Sequence, residues 1–228
     1  MLSMLLALAT SASTSVQALT ASTSTAIQNF YMTDFYQSVL NWDANILLNL
    51  QNNVRSDLLD PVMKAITHTV DKGIFWILLS VLLLIIPKTR KMGFCSAVSL
   101  VFSIIICNGI LKHAFARIRP YEVIDGLKCI VKLADDFSFP SGHTSASFAS
   151  SVAIFLAADK KQKGFAAIGI AYACLVGFTR LYVGIHYPTD VIVAAVVATL
   201  FAIPAYLIGK AVYEALAKAF NKKKKQED

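Results

Sequence analysis

Five apolar runs govern what this chain can fold into. They cover roughly residues 73–86 (GIFWILLSVLLLII), 93–111 (GFCSAVSLVFSIIICNGIL), 142–158, 164–181 (GFAAIGIAYACLVGFTRL) and 188–209 (PTDVIVAAVVATLFAIPAYLIG). A helix needs about 20 apolar residues to cross a bilayer. In lipid the backbone must satisfy its own polar groups, which helices do. With 56% hydrophobic and only 15% charged residues, the chain lacks the polar surface of a soluble domain. The expectation is an all-α fold, a polytopic membrane helical bundle with five clear transmembrane helices. The first run is short, so its helix must extend upstream or tilt. Pro204 is expected to kink the last.

Charge orders the topology. Lys88, Arg90 and Lys91 separate the first two runs, and Lys160, Lys161 and Lys163 separate the third and fourth. Lys210, Lys218 and Lys222 to Lys225 follow the last. If all five runs cross, these clusters share one side, which the positive-inside rule makes the cytoplasm. The connections 112–141 and 180–188 then face the extracytoplasmic side, and the C-terminus is cytoplasmic. The expected location is the plasma membrane, multi-pass.

The N-terminal part divides differently. Residues 1–31 are expected to be a leader. The Ser/Thr-rich stretch 1–27 has no Lys or Arg, and its apolar Leu5–Ala9 with Val16-Gln17-Ala18 resembles a signal peptide without a positive n-region. Translation from Met32 is the other reading, and both stay open. The membrane-embedded domain is expected over 32–210 and a basic tail over 211–228. Within 34–52, Phe35, Val39, Trp42, Ile46 and Leu50 mark an amphipathic helix with one buried stripe, lying at the interface. LLDPVMKAITHTVDKG reads as a second helix, partly inserted, with Pro61 in its first turn and a break near Gly73. His68 reads as a packing or interfacial residue. Cys95, Cys107 and Cys174 fall inside runs and read as small buried hydrophobes, and no disulfide or metal spacing emerges.

Three polar segments stand on one side of the bundle. In KHAFARIRP, Lys112 and Arg119 are seven residues apart. On a continuing helix that spacing puts them on one face, about 10 Å apart along the axis, with Pro120 ending the helix. Snorkelling anchors would give the same pattern. In FPSGHT, Ser141 can cap the next helix and Gly142 lets a ligand approach the backbone. The free N–H groups there attract anions, and His143 stands beside them. A small-residue packing helix with an interfacial histidine is the alternative. In TRLYVGIHYPTD, Pro188 suits a helix start, so Asp190 falls in the first turn and can accept a hydrogen bond from His186. Arg180, His186 and Asp190 together are costly at a membrane boundary if they only pack, though an interfacial ion pair is the competing reading.

In order, these segments resemble the three signature motifs of the type 2 phosphatidic acid phosphatase superfamily: Lys-x6-Arg-Pro, Pro-Ser-Gly-His, and Ser-Arg-x5-His-x3-Asp, with Thr179 in place of the usual serine. The resemblance runs from about Pro61 to Leu207. It implies a bundle of six membrane helices, so the N-terminal helices must supply what the five runs do not. It also implies hydrolysis of a phosphomonoester or pyrophosphate through a phosphohistidine, with no metal and no cofactor. By resemblance, His186 is the nucleophile, Asp190 orients it and His143 is the general acid. Lys112, Arg119, Ser141, Gly142 and Arg180 bind the substrate phosphate.

The expected partner is a lipid phosphate held in the bilayer, with no nucleic acid. Undecaprenyl pyrophosphate is favoured by analogy; phosphatidylglycerophosphate, phosphatidate and diacylglycerol pyrophosphate are alternatives. The loop acids Glu122, Asp125, Asp135 and Asp136 are read as solvated. A lipid phosphotransferase and a non-catalytic lipid or anion transporter are the rival functions.

Overall fold

In the computed structural model, residues 33–227 are described, without the side chains of 220–227. The leader expected at 1–31 lies outside the described residues. Two units partition the chain, Met1–Asp43 and Ala44–Asp228. Helix α1 (Asp34–Asn53) begins in the first. There Thr33 Oγ1 accepts a hydrogen bond from the Tyr36 amide at 3.2 Å, satisfying one of the orphan donors of a helix start. The expected buried stripe is realised only in part, with Val39, Ile46 and Leu50 half-buried. Phe35 and Trp42 are exposed, and the buried positions of α1 are Asp43 and Leu47. Apolar side chains uncovered by protein are compatible with an interfacial helix, whose apolar face is covered by lipid.

The second unit continues with α2 (Leu59–Thr69), a 3-10 turn (Asp71–Gly73), α3 (Ile74–Ile85) and α4 (Arg90–Ser103). A π-helical stretch (Ile104–Leu111) leads from α4 into α5 (Lys112–Phe115). After α6 (Pro120–Val123) and a long loop come α7 (Gly142–Ala157), a second 3-10 turn (Lys160–Gln162), α8 (Lys163–Tyr182) and α9 (Pro188–Glu227). No strand occurs among the described residues. All five apolar runs are therefore helices. Pro204 lies within α9 without ending it, and α9 continues through the expected tail to Glu227.

Length separates these helices. Arg90–Val123, Lys160–Tyr182 and Pro188–Ala219 are long and apolar enough to cross a membrane, and Leu59–Thr69 with Asp71–Ile85, bent by 42°, forms a fourth if taken as one span. Helix α7 has 16 residues, roughly 24 Å of rise, short of a hydrocarbon core of about 30 Å. It is also the helix the others surround, packing against α4, α8 and α9. The break expected near Gly73 is present, with Lys72 (φ 54°) and Gly73 (φ 73°) both left-handed.

Apolar surface gains little from leaving lipid, so small residues and interhelical hydrogen bonds hold such bundles. Ala149, Ala153 and Ala157 of α7 are buried. A serine ladder ties three helices: Ser80 of α3 is 2.7 Å from Ser96 of α4, which is 2.5 Å from Ser150 of α7. Trp76 Nε1 donates to Ser147 Oγ at 2.8 Å. Cys95 and Cys107 are buried as expected, whereas Cys174 faces outward. The two basic connections meet at one end: Gln162 Nε2 donates to the Lys88 carbonyl at 3.2 Å, and Lys91 lies 3.8 Å from Asp159. By connectivity, Lys112, His143 and His186 fall at the other ends of these helices.

Helices α3 and α4 approach closely at Gly93, where a Cβ would come within 2.6 Å of the Ser80 carbonyl oxygen and 2.7 Å of the Leu84 nitrogen. Both neighbours are backbone and cannot swing away. Gly93→Ala should therefore destabilise the protein by about 1–3 kcal/mol, read as a lowered unfolding temperature in detergent. An unchanged temperature would refute the close packing.

Candidate functional site

The helix carrying Lys112 stops earlier than the sequence spacing suggests. It ends at Phe115, with Ala116 left-handed (φ 45°), and Arg119 is extended (φ −74°, ψ 150°). Pro120 begins a new short helix instead of ending the old one. The shared helical face for Lys112 and Arg119 is thus corrected. A residue before proline is disfavoured from the α region, so the chain leaves the helix before Arg119. The two cations still converge, because both reach Asp136. Lys112 Nζ is hydrogen-bonded to Asp136 Oδ2, and Arg119 Nη2 donates to Oδ1 at 2.5 Å. Arg119 Nε also donates to the Asp136 carbonyl at 2.9 Å. Asp136 is half exposed, as its reading as solvated expects, but it is also paired with both cations. Burial opposes its ionisation, but Lys112 and Arg119 outweigh burial and hold its carboxyl at about 2.

His186 is almost fully buried between two groups. Its Nε2 lies 3.3 Å from Arg119 Nη1, and its Nδ1 lies 3.4 Å from both Asp190 Oδ2 and Ser138 Oγ. Burial first, then the charges of Arg119, Arg180 and Lys112, push its pKa well below the ordinary histidine value. The ring is consequently neutral at pH 7, the form with a lone pair to donate. The Asp190 contact is longer than the expected hydrogen bond because other donors hold the carboxylate more tightly. Arg117 Nη1 is 2.6 Å from Oδ1. Ser138 Oγ is 2.5 Å and the Tyr187 amide 3.0 Å from Oδ2. The last bond is half a capping box, an acid three residues into the helix reaching back to the preceding N–H. Arg117 also stacks on Tyr187, 3.7 Å from its ring centroid.

His143 stands in the first turn of α7, its Nε2 2.9 Å from Asp71 Oδ1. Ser141 is fully buried. Its Oγ accepts from Thr144 Oγ1 at 2.9 Å and from the Thr144 amide at 3.4 Å, which is its capping role. At Gly142 a Cβ would come within 2.9 Å of Asn108 Oδ1, so the glycine admits a side chain from the π-helical stretch. Arg180, also buried, donates from Nη1 to Thr67 Oγ1 at 2.6 Å. Its buried Nε has no hydrogen-bond partner among the described residues.

A cavity of about 660 Å³ joins these groups. Lys112, Arg119, Gly142, His143, Arg180 and His186 line it, and Ile77, Leu100 and Ile104 add apolar surface. Ser141 and Asp190 are outside the lining, the first capping α7 and the second behind His186. Asp71, Arg117, Asp136 and Ser138 were missed in sequence. Arg117 lies inside KHAFARIRP, but that segment carries no sign that it faces Asp190; Asp71 lies at the end of the segment read as the second helix, and Asp136 and Ser138 lie in the 112–141 connection.

The depressed pKa of Asp136 carries a stability consequence. Its contribution is fully present above the ordinary carboxylate pKa near 4 and is lost as pH falls toward about 2. Asp136→Asn should thus melt below the wild type at pH 6, and the gap should shrink between pH 4 and 3. A gap constant with pH would refute the charge pairing.

Residues 93–214 match the model of the PAP2 superfamily. An undecaprenyl-diphosphatase of Sulfolobus acidocaldarius is 34% identical over 117 residues, 51% of this chain and 55% of that protein. The match thus spans little more than half of that relative. A lipid A 4'-phosphatase of Bacteroides thetaiotaomicron is 28% identical over 163 residues, 66% of this chain and 70% of that one. In structure, a transmembrane PAP2 type phosphatidylglycerolphosphate phosphatase from Bacillus subtilis superposes with a TM-score of 0.62 at 22% identity, covering 83% of this chain and 92% of that one; this likeness speaks to the fold. With more than half of its residues inside the family match and all three motif segments around one cavity, the chain belongs to the PAP2 superfamily.

Proposed function

We propose that this protein is an integral membrane lipid phosphatase that hydrolyses the terminal phosphate of a lipid phosphomonoester or pyrophosphate through a phosphohistidine. The observation that carries the reading is the convergence of Lys112, Arg119 and Arg180 with His143 and His186 on one cavity. Three cations beside two imidazoles suit a phosphoryl group, whose charge must be held in fixed geometry.

In this reading His186 Nε2 attacks phosphorus. Asp190, held by Arg117 and Ser138, orients the ring and stabilises the positive charge it gains. His143 protonates the leaving oxygen and then assists the water that cleaves the phosphohistidine. Lys112, Arg119 and Arg180 bind the phosphoryl oxygens; an incoming phosphate competes with Asp136 for the first two. The Gly142 amide adds a donor at the α7 start, and Ser141 supports that start as its cap. The charge stabilisation is supplied by side chains, which favours a metal-independent reaction.

The apolar lining from Ile77, Leu100 and Ile104 favours a substrate whose tail stays in the bilayer. Undecaprenyl pyrophosphate is the favoured substrate, supported by the name of the archaeal relative. Phosphatidylglycerophosphate, phosphatidate and diacylglycerol pyrophosphate fit the same headgroup chemistry. The basic connections Lys88–Lys91 and Lys160–Lys163, adjacent at one end, favour a plasma-membrane orientation with the site extracytoplasmic and the C-terminus cytoplasmic.

The test is phosphate release by purified protein in detergent with EDTA, on undecaprenyl pyrophosphate and phosphatidate. His186→Ala should reduce release by at least about 10³-fold, and Arg180→Ala by about 10²–10³-fold. Wild type given substrate labelled in its terminal phosphate and quenched in alkaline detergent should carry a phosphohistidine that is stable to alkali and lost in acid. Release retained in His186→Ala would sink the nucleophile assignment. Loss of release in EDTA, restored by a divalent cation, would sink metal independence.

A further inference from the structure

Asp71 lies outside all three motif segments, at the left-handed break between α2 and α3. It joins two histidines. Its Oδ1 is 2.9 Å from His143 Nε2, and its Oδ2 is 2.8 Å from His68 Nδ1. His143 lines the cavity, whereas Asp71 does not. We propose that Asp71 is the positioning residue of the general acid: it fixes the His143 ring through Nε2–H, leaves Nδ1 to face the substrate, and sustains the proton that Nδ1 delivers. This inference rests on the general-acid role proposed for His143.

The electrostatic setting makes such a partner necessary. Cations dominate the cavity: Lys72 from the 3-10 turn, Lys112 and Arg119 from the segment after α4, and Arg180 from α8, with the His113 and His186 rings also in its lining. Its carboxylates are Asp135 and Asp136, and Asp136 is engaged by Lys112 and Arg119. The positive end of the α7 dipole adds to the field against an imidazolium. Asp71 is the carboxylate that touches His143, and an opposite charge at this distance favours the charged form. His68, on the second oxygen, holds the carboxylate in line. In the chemical step the His186 Nε2–phosphorus bond forms as the bond from phosphorus to the leaving oxygen breaks. That oxygen takes the proton from His143 Nδ1, and Asp71 keeps its charge throughout.

The experiment is the pH dependence of kcat/KM for the full chain in detergent. It uses whichever of undecaprenyl pyrophosphate and phosphatidate the wild type turns over faster. Activity needs protonated His143, so the alkaline limb reports its proton. Asp71→Asn should move that limb down by about one pH unit or more, and Asp71→Glu should return it most of the way. A limb unmoved in Asp71→Asn overturns the inference, whether the rate is unchanged or lowered equally at every pH. Asp71→Ser gives the same reading should the Asn variant not fold. His143→Gln separates the two levels. If it keeps the wild-type rate, the general-acid role falls and this inference with it; if it is inactive while the Asp71→Asn limb is unmoved, this inference alone falls.

Discussion

The buried Asp190 carboxylate is the junction on which the site depends. Arg117 from the first polar segment, Ser138 just before the second and the Tyr187 amide from the third all donate to it. The Ser141 amide donates to its backbone carbonyl at 3.3 Å. Three segments far apart in sequence are thereby tied to the first turn of α9. A buried carboxylate is tolerated only when paired and hydrogen-bonded, so each donor is held as firmly as it holds. The proposed nucleophile, His186, sits against this junction and inherits its placement.

A second constraint is repulsion. Lys112, Arg119 and Arg180 share a cavity within a largely apolar protein, where unpaired charge is expensive. The molecule answers with its own half-exposed carboxylate, Asp136, on the first two, and with the Thr67 hydroxyl on Arg180. A substrate phosphate would offer the same kind of charge. The cavity is in that sense preorganised for an anion, and its cations need not gather when one arrives.

The bundle beneath supplies rigidity by close approach. Alanines and serines on α7 let α4, α8 and α9 come near, and the Ser80–Ser96–Ser150 ladder fixes the register of α3, α4 and α7. The loop over the site is clamped as well: Arg55 donates to the Tyr182 and Lys128 carbonyls at 2.6 Å each. These contacts hold the polar ends of the helices in one arrangement.

Much of this was legible in the residues alone. The apolar runs required helices, because lipid allows few other structures, and each became one. Arg180, His186 and Asp190 could be picked out because polar residues at a membrane boundary are costly unless used, whereas Lys112, Arg119 and His143 are singled out by the resemblance of their segments to the family motifs. Helix ends were legible only in part. Pro120 announced a boundary, but Ala116 gave no sign that the helix would stop four residues sooner. Asp71, Arg117, Asp136 and Ser138 could not be found from spacing, because the site residues they hold, His143, Asp190 and Arg119, lie 17 to 73 residues away and such contacts have no period. Composition and periodicity decide which segments are helical, since those forces act along the chain. Which carboxylate holds which cation is decided only in three dimensions, where helix ends are brought together and each buried charge must take the partner within reach.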